Sequence, residues 1–121
     1  MFLDLNHKKL EVYKISLELL KECYSLTNNF PASERHNLTQ QIRRAGLSVI
    51  LNLSEGASRK SATERKRFYE IARGSLTELD AALEVSVALH YIERIIAEPV
   101  GKLIVSCFKK LSTMMQTLSK Q

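Results

Sequence analysis

The sequence predicts an all-α protein, an antiparallel up-down-up-down four-helix bundle. Three observations predict it. Apolar residues recur at steps of three and four through four segments, the spacing that stacks side chains along one side of a 3.6-residue helix. Breaks rich in asparagine, glycine and proline separate those segments, and no stretch alternates apolar with polar residues as a strand would. The breaks are short, so consecutive helices are expected to be antiparallel neighbours. At 121 residues the chain fits one domain, residues 1–121, large enough to bury a core without disulfides or a metal.

The first helix is expected from about Lys8 to Thr27. It carries Tyr13, Leu17, Leu20 and Tyr24 on one face and Ile15, Leu19, Cys23 and Leu26 beside it. Asn28-Asn29-Phe30-Pro31 ends it, since asparagine tolerates a left-handed cap and proline cannot continue a helix.

The second helix begins after Pro31, with Ser33 or Asn37 as its cap, and ends at Gly56, a residue suited to the positive φ that closes helices. Leu38, Ile42, Ala45, Val49 and Leu53 form its core face. Leu47, Ile50 and Leu51 fall on roughly the opposite side, where a surface helix would carry polar groups, and so predict an oligomer interface. Between the stripes lies a polar seam of Gln41, Arg44, Ser48, Asn52 and Glu55. Burial of Asn52 and Glu55 would require partners, which Arg43 or Arg44 of the same or a neighbouring chain, or Ser75 and Glu78 of the third helix, are expected to supply in a network that fixes helix register.

Ser61-Ala62-Thr63-Glu64 has the spacing of a capping box and opens the third helix. Phe68, Ala72, Ser75, Leu79, Ala82, Ser86 and Leu89 carry its inward face to about Ile92. Gly74 sits mid-helix at a cost of ~1 kcal/mol relative to alanine, which close approach of a neighbouring helix over Ala72–Ser75 would offset. The fourth helix opens near Pro99, a good first-turn residue, with the stripe Val100, Ile104, Cys107, Leu111, Met114 and Leu118.

The net charge of +5 is unevenly placed: residues 35–75 hold nine basic groups against three acidic ones, while both flanking segments are near neutral. Clustered arginine marks polyanion binding. The predicted nucleic-acid contacts are Arg43, Arg44, Arg59, Lys60, Arg65, Lys66, Arg67 and Arg73. The competing reading makes Lys66, Glu70 and Arg73 a solvated face of paired charges. With no tryptophan and few aromatics in this region, base stacking and sequence preference would be weak.

Chemistry beyond binding finds little support. His7, His36 and His90 lack a second ligand at metal-site spacing, and no Glu-x-x-His pair, Gly-rich phosphate loop or nucleophile elbow occurs. The expectation is a non-enzyme with no catalytic residue, cofactor or metal. Cys23 and Cys107 fall in apolar stripes, as reduced core thiols do. No apolar run approaches the ~20 residues that span a bilayer, and the N-terminus lacks the pattern of a secretory signal. A cytoplasmic protein without membrane contact is expected.

The elements Leu10-Glu11-Val12-Tyr13, Phe30-Pro31, Leu38-Thr39-Gln40-Gln41-Ile42-Arg43-Arg44-Ala45, Ser48-Val49, Asn52-Leu53-Ser54-Glu55-Gly56 and Ile71-Ala72-Arg73-Gly74-Ser75-Leu76-Thr77-Glu78-Leu79 occur in that order. They resemble the four-helix-bundle family encoded in intervening sequences of bacterial 23S ribosomal RNA genes, over nearly the whole chain. The chain departs from the family's commonest form at Leu53-Ser54, where Ile-Ala is usual, and at Ile50, where many members have proline; the latter implies a straighter second helix. The resemblance implies an antiparallel bundle that assembles as a homopentamer. The family also includes the accessory variability proteins of diversity-generating retroelements, which implies binding of nucleic acid and a reverse transcriptase partner through a basic surface. Two functions follow as expectations: an oligomeric nucleic-acid-binding protein, RNA-associated or a retroelement accessory factor, or an oligomeric scaffold that docks a protein such as a reverse transcriptase without touching nucleic acid.

Overall fold

Four helices carry the chain in the computed structural model, which describes residues 1–120: α1 (Glu11–Thr27), α2 (Leu38–Ser58), α3 (Ala62–Ala88) and α4 (Arg94–Ser119). Short 3-10 turns at Asn6–Lys9 and Ala32–Glu34 precede α1 and α2. Each helix packs on its neighbours in sequence and α4 closes back on α1. Among the described residues the backbones of the diagonal pairs stay apart, so the four helices stand at the corners of a square. This is the expected antiparallel bundle. The α2–α3 contact is the most extensive. Leu19, Ile42, Val49, Leu53, Leu76, Leu79, Val100 and Leu111 fill the centre and are almost wholly removed from water. Each such side chain contributes ~1.5–3 kcal/mol of burial energy.

The helix ends depart from the sequence reading in ways with local causes. Lys8 lies in a 3-10 turn, and α1 begins only after Leu10, whose extended backbone interrupts the helix. Asn28 is right-handed rather than left-handed. What turns the chain there is Phe30, which tucks into the core with its ring 5.6 Å from that of Tyr91. Neither the Ser33 nor the Asn37 side chain caps α2. The Glu34 carboxylate does so, accepting the Leu38 N–H and the Asn37 side-chain amide, both at 3.1 Å. Its other oxygen accepts the Tyr91 hydroxyl at 3.3 Å, tying the α3–α4 connection to the start of α2.

Gly56 does not close α2, which continues to Ser58, and its φ is not positive. It is required for close packing instead: a Cβ there would stand 2.8 Å from Tyr69 Cε1 and 3.0 Å from Phe68 Cβ. Gly74 shows the reverse. A Cβ at that position meets nothing within 4 Å, so the approach of α2 over this cluster is made at Ser75, 2.8 Å from Ser48, and not over Gly74 itself; the glycines in close contact are Gly46 and Gly56.

Ser61 caps α3 as expected, its hydroxyl accepting the Glu64 N–H at 3.1 Å. The helix ends at Ala88 rather than Ile92 because His90 takes a left-handed φ of 64°. The Tyr91 N–H then returns to the Ser86 carbonyl and the His90 N–H to that of Val87, the two reversed bonds of a Schellman close. α4 starts at Arg94, five residues before Pro99, which therefore sits in the second turn and leaves the Ile95 carbonyl without its helical donor.

The inward faces are shifted as well. On α1, Val12, Ser16, Leu19, Cys23 and Leu26 face the core, whereas Leu17 and Tyr24 are 45 % and 44 % exposed. On α3, Tyr69, Leu76 and Leu83 are buried where Phe68, Ala82 and Leu89 were expected, and Leu89 is exposed. The α4 stripe holds through Leu111 and ends on Met115 rather than Met114. Cys23 and Cys107 are free and buried, and burial pushes their thiols up to about 12 and about 11. No helix of the described residues is long and apolar enough to cross a membrane.

Candidate nucleic-acid interface

The alternating topology brings the start of α1, the end of α2, the start of α3 and the end of α4 to one end of the bundle. Only three residues link α2 to α3, so Arg59 and Lys60 in the link stand beside Arg65, Lys66 and Arg67 in the first turns of α3. Lys8 and Lys120 reach the same end from the outer helices. Sequence reasoning overlooked those two lysines, although the up-down order it predicted would have placed them.

The five central cations divide by how tightly they are held. Arg59 lies over the Phe68 ring, 4.9 Å from its centroid, and pairs with Glu55. Its carbonyl accepts Arg65 Nε at 2.6 Å. These two arginines brace the link, presenting guanidinium groups whose positions are partly fixed. Lys60 and Arg67 project into water and Lys66 is half-buried.

Arg73 stands about two turns further along α3. It donates to Ser112 Oγ of α4 at 3.1 Å and lies 5.4 Å from the centre of the Phe108 ring. With Lys66, Lys120 and Gln116 it lines a cleft of 470 Å³, with Glu70 as the single acid among its lining groups.

Arg43 and Arg44 do not belong to this cluster. They lie in the first turns of α2, about 24 Å along the helix axis from Arg59 at 1.5 Å per residue. Arg43 is committed to structure: Nε donates to Thr27 Oγ1 at 2.9 Å, a terminal nitrogen to Asn28 Oδ1 at 3.1 Å, and the guanidinium lies over Tyr24 at 4.6 Å. It fastens the start of α2 to the end of α1. Arg44 is exposed.

The polar seam is smaller than expected. Asn52 donates to the Ser48 carbonyl and hydroxyl at 2.9 and 3.0 Å, and Ser75 of α3 donates to the Ser48 hydroxyl at 2.8 Å. Glu55 is not part of this network, because its position turns it outward to Arg59, about half exposed. Glu78 also lies on the exposed surface of α3. Ser48, which the sequence placed on the seam without a role, is the bridging group.

Of the three residues expected on an intermolecular face, Leu47 and Leu51 are 40 % and 57 % exposed, whereas Ile50 is only 6 % exposed. Gly46 lies one turn before Ile50. Its missing side chain lets α1 approach until a Cβ would lie 3.3 Å from Leu20 and Cys23, and Ile50, one turn on, is covered within the chain. Among the described residues, no group of three or more His, Cys, Asp or Glu side chains is placed to hold a metal ion.

The architecture is shared with a solved structure, a protein of unknown function of the S23 ribosomal protein family from Bacteroides thetaiotaomicron. It aligns with a TM-score of 0.77 and 23 % identity, over 86 % of this chain and 97 % of that one. No functionally curated protein matches the sequence. The family model of the 23S rRNA-intervening sequence proteins matches residues 8–113, from the turn before α1 into the last turns of α4. The chain belongs to the 23S rRNA-intervening sequence protein family.

Proposed function

We propose that this chain is a non-enzymatic nucleic-acid-binding protein that acts as an oligomer and grips phosphates with the basic end of its bundle. The observation that carries the reading is the gathering of Arg59, Lys60, Arg65, Lys66 and Arg67 at one end by a three-residue link, where Lys8 and Lys120 add to them. Clustered cations of this kind bind a polyanion by displacing condensed counterions, which rewards charge density rather than sequence. Membership of a family named for intervening sequences in 23S ribosomal RNA genes makes RNA the ligand to test first. The exposed Leu47 and Leu51 support self-association, since lone copies would leave both in water. A ring of copies, five by the family resemblance, would repeat the basic end around its axis.

Fluorescence anisotropy with a mixed-sequence RNA tests this. Replacing Lys60, Lys66 and Arg67 by Gln removes three cations outside the bracing contacts of Arg59 and Arg65, and is expected to weaken binding about tenfold or more near 0.1 M salt. Arg44→Gln, at the other end, should leave affinity within about twofold by the same reasoning. Unchanged binding by the triple variant would remove the basic end from the account and favour a scaffold that docks a protein, a reverse transcriptase among the possibilities.

A further inference from the structure

The cleft beside Arg73 is walled by two matching rows of side chains. On α3, Lys66, Glu70 and Arg73 stand at steps of four and three and so share a face of the helix. On α4, Ser112, Gln116 and Ser119 repeat the same steps, and the two rows enclose the 470 Å³ over the buried Met115. That volume lies in the range of small-ligand clefts and holds a nucleotide rather than only a bare ion. The reading of Lys66, Glu70 and Arg73 as mutually paired charges does not hold. Among the described residues neither Lys66 nor Arg73 forms an ion pair with Glu70, and Arg73 turns across to α4 instead.

Arg73 closes this cleft at one end. Its bond to Ser112 Oγ spans the gap between the helices and its guanidinium lies against the Phe108 ring, so the lining stops at Arg73 and Ser112. Beyond that bar a separate cavity of 280 Å³ begins, with one acid, Asp80, and one base, Lys109, in its lining. A polynucleotide cannot thread a cleft barred in this way, whereas its end can enter. The donors suit an end. Arg73 spends one N–H on Ser112, leaving the rest of its fork unclaimed among the described residues. Thr113, Thr117 and Ser119 return their hydroxyls to carbonyls one turn back, but Ser112 makes no such bond among the described residues and retains its O–H. Three cations, Lys66, Arg73 and Lys120, stand against Glu70 alone, a net +2. That charge matches a phosphomonoester, which carries about −1.5 to −2 near pH 7, better than a backbone diester with its single charge.

We propose that this cleft receives the terminal phosphate of a nucleic-acid strand. This deepens the nucleic-acid reading above and rests on it, making strand ends rather than strand interiors the preferred ligand. Arg73 and Ser112 donate to the phosphate oxygens at the closed end, and Lys66 and Lys120 neutralise the group from the two walls. Lys66 belongs both to the cleft and to the basic end, so a strand whose last phosphate is held here continues onto Lys60 and Arg67.

Fluorescence anisotropy with one internally labelled RNA, ended by hydroxyls, by a 5′-phosphate or by a 3′-phosphate, separates the end from the rest of the strand. The full-length chain is expected to bind a phosphate-ended strand about five- to tenfold more tightly than the hydroxyl-ended one near 0.1 M salt, through the added charge-assisted bonds. Gln116→Glu is a near-isosteric change at an exposed position that puts a second acid in the lining. It should bring the preference within about twofold while leaving affinity for the hydroxyl-ended strand nearly unchanged, and Arg73→Gln should do the same. Glu70→Gln should widen the preference. Lys60→Gln with Arg67→Gln, outside the cleft, should weaken all three strands alike and keep the ratio. Equal affinity for the three strands overturns end recognition while leaving nucleic-acid binding standing, and no binding of any strand overturns both. A preference that survives Gln116→Glu and Arg73→Gln overturns the cleft as its seat. Uridine 5′-monophosphate at about 0.1 mM should leave the preference in place, because a lone nucleotide lacks the second set of contacts. Loss of the preference at that concentration would make a free nucleotide the occupant and overturn the strand end.

Discussion

At the scale of single residues, the polar groups do less collective work than their spacing suggests and more local work. The Asn52–Ser48–Ser75 chain joins α2 to α3 along the seam, at distances of 2.8 to 3.0 Å. Removing a hydrogen bond from a half-buried network costs ~1 kcal/mol, whereas an exposed ion pair is worth ~0–1 kcal/mol and is screened by salt. Ser75→Ala should therefore lower unfolding stability in urea by about 1 kcal/mol, and Glu55→Ala by under about 0.5 kcal/mol, with no change in assembly size. A larger loss for Glu55→Ala would mean that its pairing with Arg59 holds the α2–α3 link rather than decorating it. Helical spacing placed Asn52 and Glu55 on one seam, but they differ by about 60° around the axis. That angle puts Asn52 against α3 and Glu55 in water. A one-dimensional pattern does not resolve such a difference until the neighbouring helix is positioned.

At the scale of the helices, what the sequence made legible is the stripes and the Ser61–Glu64 cap, because both depend on residues within one segment. What it hid depends on partners from elsewhere. The cap of α2 comes from Glu34 in the preceding turn, itself held by Tyr91. The end of α3 rests on a left-handed histidine, a conformation for which glycine would be the usual choice. The core face of α1 was ambiguous because both of its stripes are apolar, and only the packing of α2 and α4 decides between them. The glycines show the same divide. Gly74 has open space and Gly56 has a ring against it, although both sit inside helices and read alike in the sequence. Gly74→Ala should raise stability by about 1 kcal/mol, the helix-propensity difference with nothing to oppose it. Gly56→Ala should lower it by about 1–3 kcal/mol, since Tyr69 and the Phe68 Cβ must shift within a packed contact. Thermal unfolding of the pair checks the sign of each.

At the scale of the whole molecule, segmental charge counting located an arginine-rich middle third but could not say that folding would divide it. The division is physical: α2 is long enough to carry Arg43 and Arg44 to the opposite end from Arg59, and Arg43 is consumed in holding α1 to α2. The cations left at the other end are Arg59, Lys60, Arg65, Lys66 and Arg67, with Lys8 and Lys120 from the flanking helices; of the central five, Lys60 and Arg67 are exposed and the rest half-buried. The central claim is that this end binds nucleic acid through phosphates. Its most direct test is the salt dependence of RNA affinity for the wild-type chain. Five phosphate contacts to a single strand predict that log K falls against log salt with a slope of about −3.5, and replacing Lys60, Lys66 and Arg67 by Gln should shrink the slope by about 2. No measurable binding at low salt, or binding with a slope near zero, would contradict the account.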